Sequence, residues 1–192
     1  AMSTWTQPLT WTMSKLDGIT SASPLSSIHE MTSGGAAPDV SLVEMLIGWR
    51  AGCLGETCAV ALLLGGIYLV IRKVISPTIP LTYIGTVAVI MLIAGKGDFR
   101  FVAYELLGGG LMLGAIFMAT DYTTSPITFK GKIIFGIGCG LITSIIRIFG
   151  NLPEGVSYSI IIMNILVPLI ENVTLPKPFG TPQKEKKEAE AK

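Results

Sequence analysis

The polar segment Asp17-Gly18-Ile19-Thr20-Ser21-Ala22-Ser23 sets a run of hydroxyls beside one carboxylate, among small residues that leave the backbone accessible. A hydroxyl displayed in this way can take up a phosphoryl group from a modifying enzyme once its neighbours position it. Ser23, Thr20 and Ser21 are the candidate acceptors; read by composition alone, the same residues also make an ordinary Ser/Thr-rich loop. A second set of reactive groups lies in or beside apolar stretches. Glu56 opens one such stretch, with Thr57 as a neighbouring hydroxyl. Its carboxylate reads either as a favourable charge at a helix N-terminus or as a cavity-facing acid, because ionisable groups at membrane depth are costly without partners. Asp121, in Asp121-Tyr122-Thr123-Thr124-Ser125-Pro126, reads as an Asx-type turn before proline or as a ligand contact. Glu105 and Asp98 are secondary candidates. Arg147 reads as a cation snorkelling at a span boundary, with pairing to an acid or a phosphate as the alternative. Asn164 falls mid-span, where it is expected to bridge helices.

Other chemistries find little support. Cys53, Cys58 and Cys139 show no metal-ligand spacing and lie in or beside apolar stretches, where cysteine packs as a small hydrophobe. His29 is the single histidine, too few for a His-based triad or zinc site. No nucleic-acid partner is expected.

The elements that must position these groups belong in lipid. Of 192 residues, 50% are apolar and only 14% charged, where soluble domains carry about 25% charged residues, and the mean hydropathy is +0.63. The expected organisation is a polar loop over residues 1–41, a transmembrane helical domain over 42–175 and a charged, solvated tail over 176–192. Five spans are read: about Gly55 to Ile71, about Pro80 to Ala94, about Gly108 to Ala119 preceded by a half-helix Phe99–Leu107, Ile133 to Phe149, and Val156 to Val173. Several fall short of the roughly 20 residues that cross about 30 Å of hydrocarbon. Glycines interrupt them at Gly65-Gly66, Gly108-Gly109-Gly110, Gly136, Gly138 and Gly140. Such interruptions read as close helix packing through small residues or as broken helices around a binding site. Arg72, Lys73, Lys130, Lys132 and the Lys-rich tail fall on one side of a five-span topology. The positive-inside rule therefore places the N-terminal loop outside and the tail in the cytoplasm. With no export signal ahead of the polar N-terminal loop, the chain is expected to be the C-terminal half of a longer protein.

Several segments together resemble a known family. Asp17, Thr20, Ala22 and Ser23 fit the flavinylation motif Asp-x-x-Ser/Thr-Gly-Ala-Ser/Thr, with Ser21 standing where glycine is usual. Gly52-Cys53-Leu54-Gly55-Glu56-Thr57-Cys58 resembles the Gly-Ser-x-Gly-Glu-Thr-Ser opening of a span in the RnfD component of the Rnf electron-transport complex. A relative of that component is NqrB of the sodium-pumping NADH:quinone oxidoreductase. Gly108-Gly109-Gly110-Leu111-Met112-Leu113-Gly114-Ala115, Met118 to Pro126 and Lys177-Pro178-Phe179-Gly180 resemble further family signatures.

The resemblance implies an all-α fold of about five transmembrane helices plus half-helices, one half of an inverted-repeat fold similar to urea transporters. It implies FMN joined through its phosphate to Ser23 by a flavin transferase, and a second, non-covalent flavin such as riboflavin. Glu56, Thr57 and Asp121 would then be flavin or ion contacts. The implied protein is a multi-pass component of the bacterial inner membrane. It relays electrons between flavins in a Na+- or H+-translocating ferredoxin:NAD oxidoreductase, together with other membrane and flavoprotein subunits, and is not catalytic alone. A solute channel of urea-transporter-like fold, or a purely structural anchor, is the competing expectation. The anchor would leave electron transfer intact after loss of Ser23.

Overall fold

The computed structural model describes residue 28 and residues 41–48, 58–150 and 154–175. Helix α1, Leu42–Ile47, is short and was not evident from the apolar pattern. Ser41 and Glu44 start it through a reciprocal capping box, and Gly48 ends it in the left-handed conformation (φ 98°). Helix α2 spans Ala59–Ile71. The chain then reverses through Arg72, Lys73 and Val74, whose amides bond back to α2 carbonyls. Helix α3 runs Thr78–Ala94, and α4 runs Phe99–Leu107 behind an Asp98 cap whose carboxylate accepts the Arg100 amide at 2.9 Å. After Gly108–Gly110, with Gly109 at φ 61°, helix α5 begins at Leu111–Leu113 and widens into a π-helical turn over Gly114–Met118. Thr128 caps α6, Phe129–Phe149, by accepting the Gly131 amide at 3.1 Å. Helix α7, Val156–Thr174, contains Pro168.

Each of the five expected apolar spans holds a helix, but their lengths differ. By length and composition, α6 and α7 can each cross a membrane, and α4 with α5 can do so only as one broken span bent by 67°. Helices α2 and α3 have 13 and 17 residues, or about 20 and 26 Å at 1.5 Å per residue, short of about 30 Å. The third expected span and the half-helix before it are both present, as a helix pair broken at Gly108–Gly110. The fourth starts at Phe129, four residues before the expected Ile133, because the Thr128 cap outweighs the interruption by Lys130 and Lys132. The expected start at Gly55 lies outside the described residues.

Helices α3 and α6 form the centre of the bundle, with α7 packed on α6 and α4–α5 packed on α3. Tyr83, Val87 and Met91 of α3 meet Phe135 and Cys139 of α6, all fully buried. The glycines of α6 make this approach close. A methyl group at Gly136 would collide with the Thr82 hydroxyl. One at Gly140 would lie 2.6 Å from Thr86 Cβ and 3.0 Å from the Tyr83 carbonyl oxygen. Thr82 and Thr86 turn their hydroxyls back onto their own helix, to Thr78 O and Thr82 O at 2.7 Å each, so no polar group is stranded at the contact. Gly138 receives Met163 of α7, Gly114 receives Val156, and Gly66 receives Ile116. These glycines are packing positions. Of the glycine set, only Gly108–Gly110 is a break.

Gly140→Ala is therefore expected to destabilise the bundle by about 1–3 kcal/mol through overpacking. Gly85→Ala, where nothing lies within 4 Å of the new methyl group, is expected to be neutral or stabilising by up to about 1 kcal/mol. Thermal unfolding of the two variants side by side in detergent checks the contrast; equal midpoints would refute the close-packing account.

Two loops share one end of the bundle. The Ile127 amide donates to Glu171 Oε1 at 3.1 Å and Thr128 Oγ1 to Thr174 Oγ1 at 2.8 Å, tying the α5–α6 loop to the end of α7. A cleft joins that loop to the α2–α3 turn. Arg72, Lys73, Lys130 and Lys132 thus lie at the same end of the molecule, as the topology read from charge requires.

Candidate functional site

Where α4 stops, its last carbonyls lose their intrahelical partners, and hydrocarbon offers no water to replace them. Arg147, one turn from the end of α6, supplies the missing donors. Its Nη1 donates to Glu105 O at 2.6 Å and to Glu105 Oε2 at 2.9 Å, and its Nη2 donates to Gly108 O at 3.3 Å. The guanidinium also places positive charge at the negative end of the α4 dipole. Both residues are buried, at 3% exposure for Arg147 and 4% for Glu105. The boundary-snorkel reading of Arg147 is thus corrected: the broken span presents carbonyls beside it, and the side chain turns inward to meet them. Glu105, a secondary candidate by sequence, is its ion-pair partner. Arg147 Nε is buried with no hydrogen-bond partner.

One turn earlier on the same face of α6, Thr143 joins a chain of three buried hydroxyls that sequence reasoning missed. Tyr83 Oη of α3 lies 2.6 Å from Thr143 Oγ1 and 2.9 Å from Ser159 Oγ of α7. Thr143 Oγ1 donates to Ser159 Oγ at 2.8 Å, and Ser159 Oγ donates to Val156 O at 2.7 Å. Every proton has an acceptor if Tyr83 donates to Thr143, so the chain links three helices without a stranded donor. Tyr83→Phe is expected to cost only about 1 kcal/mol, because Thr143 and Ser159 still pair with each other. Thr143→Val should likewise cost about 1 kcal/mol, since Tyr83 Oη still reaches Ser159 Oγ at 2.9 Å. Unfolding midpoints in detergent check both; a loss of about 3 kcal/mol or more from either would contradict a network with a direct bond between each pair.

The remaining candidates fall elsewhere. Asp98 caps α4. Asp121 lies at the surface, and its carboxylate accepts the Thr123 hydroxyl and the Thr124 hydroxyl (3.3 Å), while the Ser125 amide bonds to its carbonyl at 3.0 Å. This is the turn expected before Pro126. Hydrogen bonding, from the Thr123 hydroxyl first, holds its carboxyl below the usual aspartate range. Asn164 Oδ1 is buried without a partner, so that oxygen makes no bridge to a neighbouring helix. Cys139 packs in the core and Cys58 Sγ sits 3.7 Å from Leu46 O. Asp17, Thr20, Ala22, Ser23, Glu56 and Thr57 lie outside the described residues. Cys58, next to Thr57, and Asp121 sit at opposite ends of α2, about 20 Å apart along its axis.

A cofactor would need space. The cleft beside Asp121 has a volume of about 210 Å³ and an open side, below the ~300–1,000 Å³ of pockets that enclose a drug-sized ligand. It does not fit a buried flavin. The ion pair and hydroxyl chain join α3, α4, α6 and α7. What this column does is fix a broken helix against the α3–α6–α7 core.

Comparison with known proteins places the chain. The model of the NQR2, RnfD, RnfE family matches residues 1–180. The D subunit of the Na(+)-translocating ferredoxin:NAD(+) oxidoreductase complex of Acetobacterium woodii is 46% identical over 175 residues, covering 91% of this chain and 53% of that protein. The D subunit of the proton-translocating ferredoxin:NAD(+) oxidoreductase complex of Clostridium ljungdahlii is 41% identical, covering 94% and 56%. The D subunit of an ion-translocating oxidoreductase complex from Stutzerimonas stutzeri is 39% identical, covering 85% and 49%. The chain spans about half the length of these curated relatives. With a family match over residues 1–180 of its 192, the chain belongs to the NQR2, RnfD, RnfE family.

Proposed function

We propose that this chain is the flavin-carrying part of an RnfD-type component of an ion-translocating ferredoxin:NAD oxidoreductase complex, moving Na+ or H+ across a bacterial cytoplasmic membrane. One observation carries the reading: the Asp17-x-x-Thr20-x-Ala22-Ser23 segment lies within residues 1–180, which match the NQR2, RnfD, RnfE family. Ser23 is the acceptor to which a flavin transferase joins FMN through its phosphate, and the N-terminal loop carrying it faces outward while the tail is cytoplasmic. Bound FMN supplies the electron chemistry. This chain's own residues hold the group at the membrane surface and lock the bundle beneath it. Partner membrane and flavoprotein subunits deliver and remove electrons. A second, non-covalent flavin would be held by Glu56 and Thr57, since the cleft beside Asp121, at about 210 Å³, is too small for it. The bundle is read as one half of a urea-transporter-like repeat.

The glycines that would have favoured a solute channel are filled by Thr82, Thr86, Met163 and Val156, which weakens that alternative. Flavin fluorescence in a denaturing gel separates the two. The protein made with its flavin transferase is expected to give a fluorescent band that Ser23→Ala abolishes. A dark wild-type band would sink the redox reading.

A further inference from the structure

We propose that the cleft between the α2–α3 turn and the α5–α6 loop binds the phosphate headgroup of an anionic phospholipid. The cleft holds about 210 Å³ and is open on one side, small for a cofactor but ample for a phosphate. Lys132, Ser76 and Ser125 line its wall. Arg72 and Lys73 immediately precede its Val74 edge, and Lys130 stands one residue before Gly131 on the first turn of α6. None of these four cations forms an ion pair among the described residues. The two acids at this end are already engaged: Asp121 by the Thr123 and Thr124 hydroxyls, Glu171 by the Ile127 amide. Four cations against two carboxylates leave net positive charge around a pocket of phosphate size, the arrangement by which basic pockets between membrane helices take lipid headgroups.

The apolar walls favour a lipid over free phosphate. Val74, Ile75, Ile79 and Ile127 line the cleft, and its rim continues outward through Val74 at 66%, Ile127 at 77% and Phe129 at 67% exposure. An acyl chain leaving the headgroup would lie along these side chains. Tyr122, at 89% exposure, stands at the mouth as an interfacial aromatic.

The test is phosphatidylglycerol binding to the delipidated, purified complex, followed by native mass spectrometry. Lys132→Gln is expected to weaken one binding event about fivefold, while Lys132→Arg and the opposite-end control Arg100→Gln leave it unchanged. Should Lys132→Gln fail to assemble, Ser125→Ala carries the test, with weakening of about threefold from a lost hydroxyl contact. Phosphatidylcholine and inorganic phosphate should each displace the lipid poorly. Unchanged binding in Lys132→Gln or, in its place, Ser125→Ala would overturn the proposal. So would displacement by phosphatidylcholine as effective as by phosphatidylglycerol, or equal competition by inorganic phosphate.

Discussion

Replacing Arg147 with methionine is expected to destabilise the bundle by about 3–5 kcal/mol, the cost of breaking a buried ion pair from one side. Three hydrogen bonds disappear together, and two of the acceptors are the backbone oxygens of Glu105 and Gly108 at the end of a broken helix. Methionine fills much of the volume but donates nothing, so those oxygens face apolar surroundings. Glu105→Gln should be milder: the amide still offers an acceptor to Nη1, and the contacts to Glu105 O and Gly108 O persist. The order Arg147→Met, then Glu105→Gln, then wild type is checked by unfolding midpoints of the purified complex in detergent. If methionine at 147 were tolerated as well as glutamine at 105, the guanidinium would not be what holds α4 and α5 in place.

The second large effect concerns turnover. Ser23→Ala is expected to lower ferredoxin-driven NAD reduction by the assembled complex at least about 100-fold, since a carrier missing from a serial chain cannot be bypassed by the protein's own side chains. The change removes a single hydroxyl from a polar loop, so assembly and the unfolding midpoint should match wild type. That pairing matters: lost turnover with unaltered stability assigns Ser23 to the electron path, whereas full turnover would make the protein an anchor. Thr20→Ala and Ser21→Ala should retain attached flavin.

How much of this was legible beforehand follows from the physics of each signal. Apolar runs are local, so the positions of α2, α3, α6 and α7 could be read within a few residues. The bend at Gly108–Gly110 was visible because three glycines in a row cannot continue a helix cheaply. The early start of α6 was hidden by Lys130 and Lys132, which lower local hydropathy, although Thr128 was available as a capping signal. Arg147 was misread because its nearness to the end of α6 suggests water, while the decisive neighbour is a set of carbonyls some 40 residues earlier in the chain. Tyr83, Thr143 and Ser159 gave no warning at all: their pairing joins positions 60 and 76 residues apart. A hydroxyl in the middle of an apolar span was the sole clue. The glycine stripe of α6 carried two readings of equal local appearance, and only the side chains opposite it decided for packing.

The most direct measurement is peptide mass mapping of the protein purified from cells that also make its flavin transferase. The account predicts that the peptide holding Asp17 to Ser23 carries one FMN, with fragment ions locating it on the Ser23 oxygen. That same peptide recovered entirely unmodified, from a complex that still transfers electrons, would contradict it.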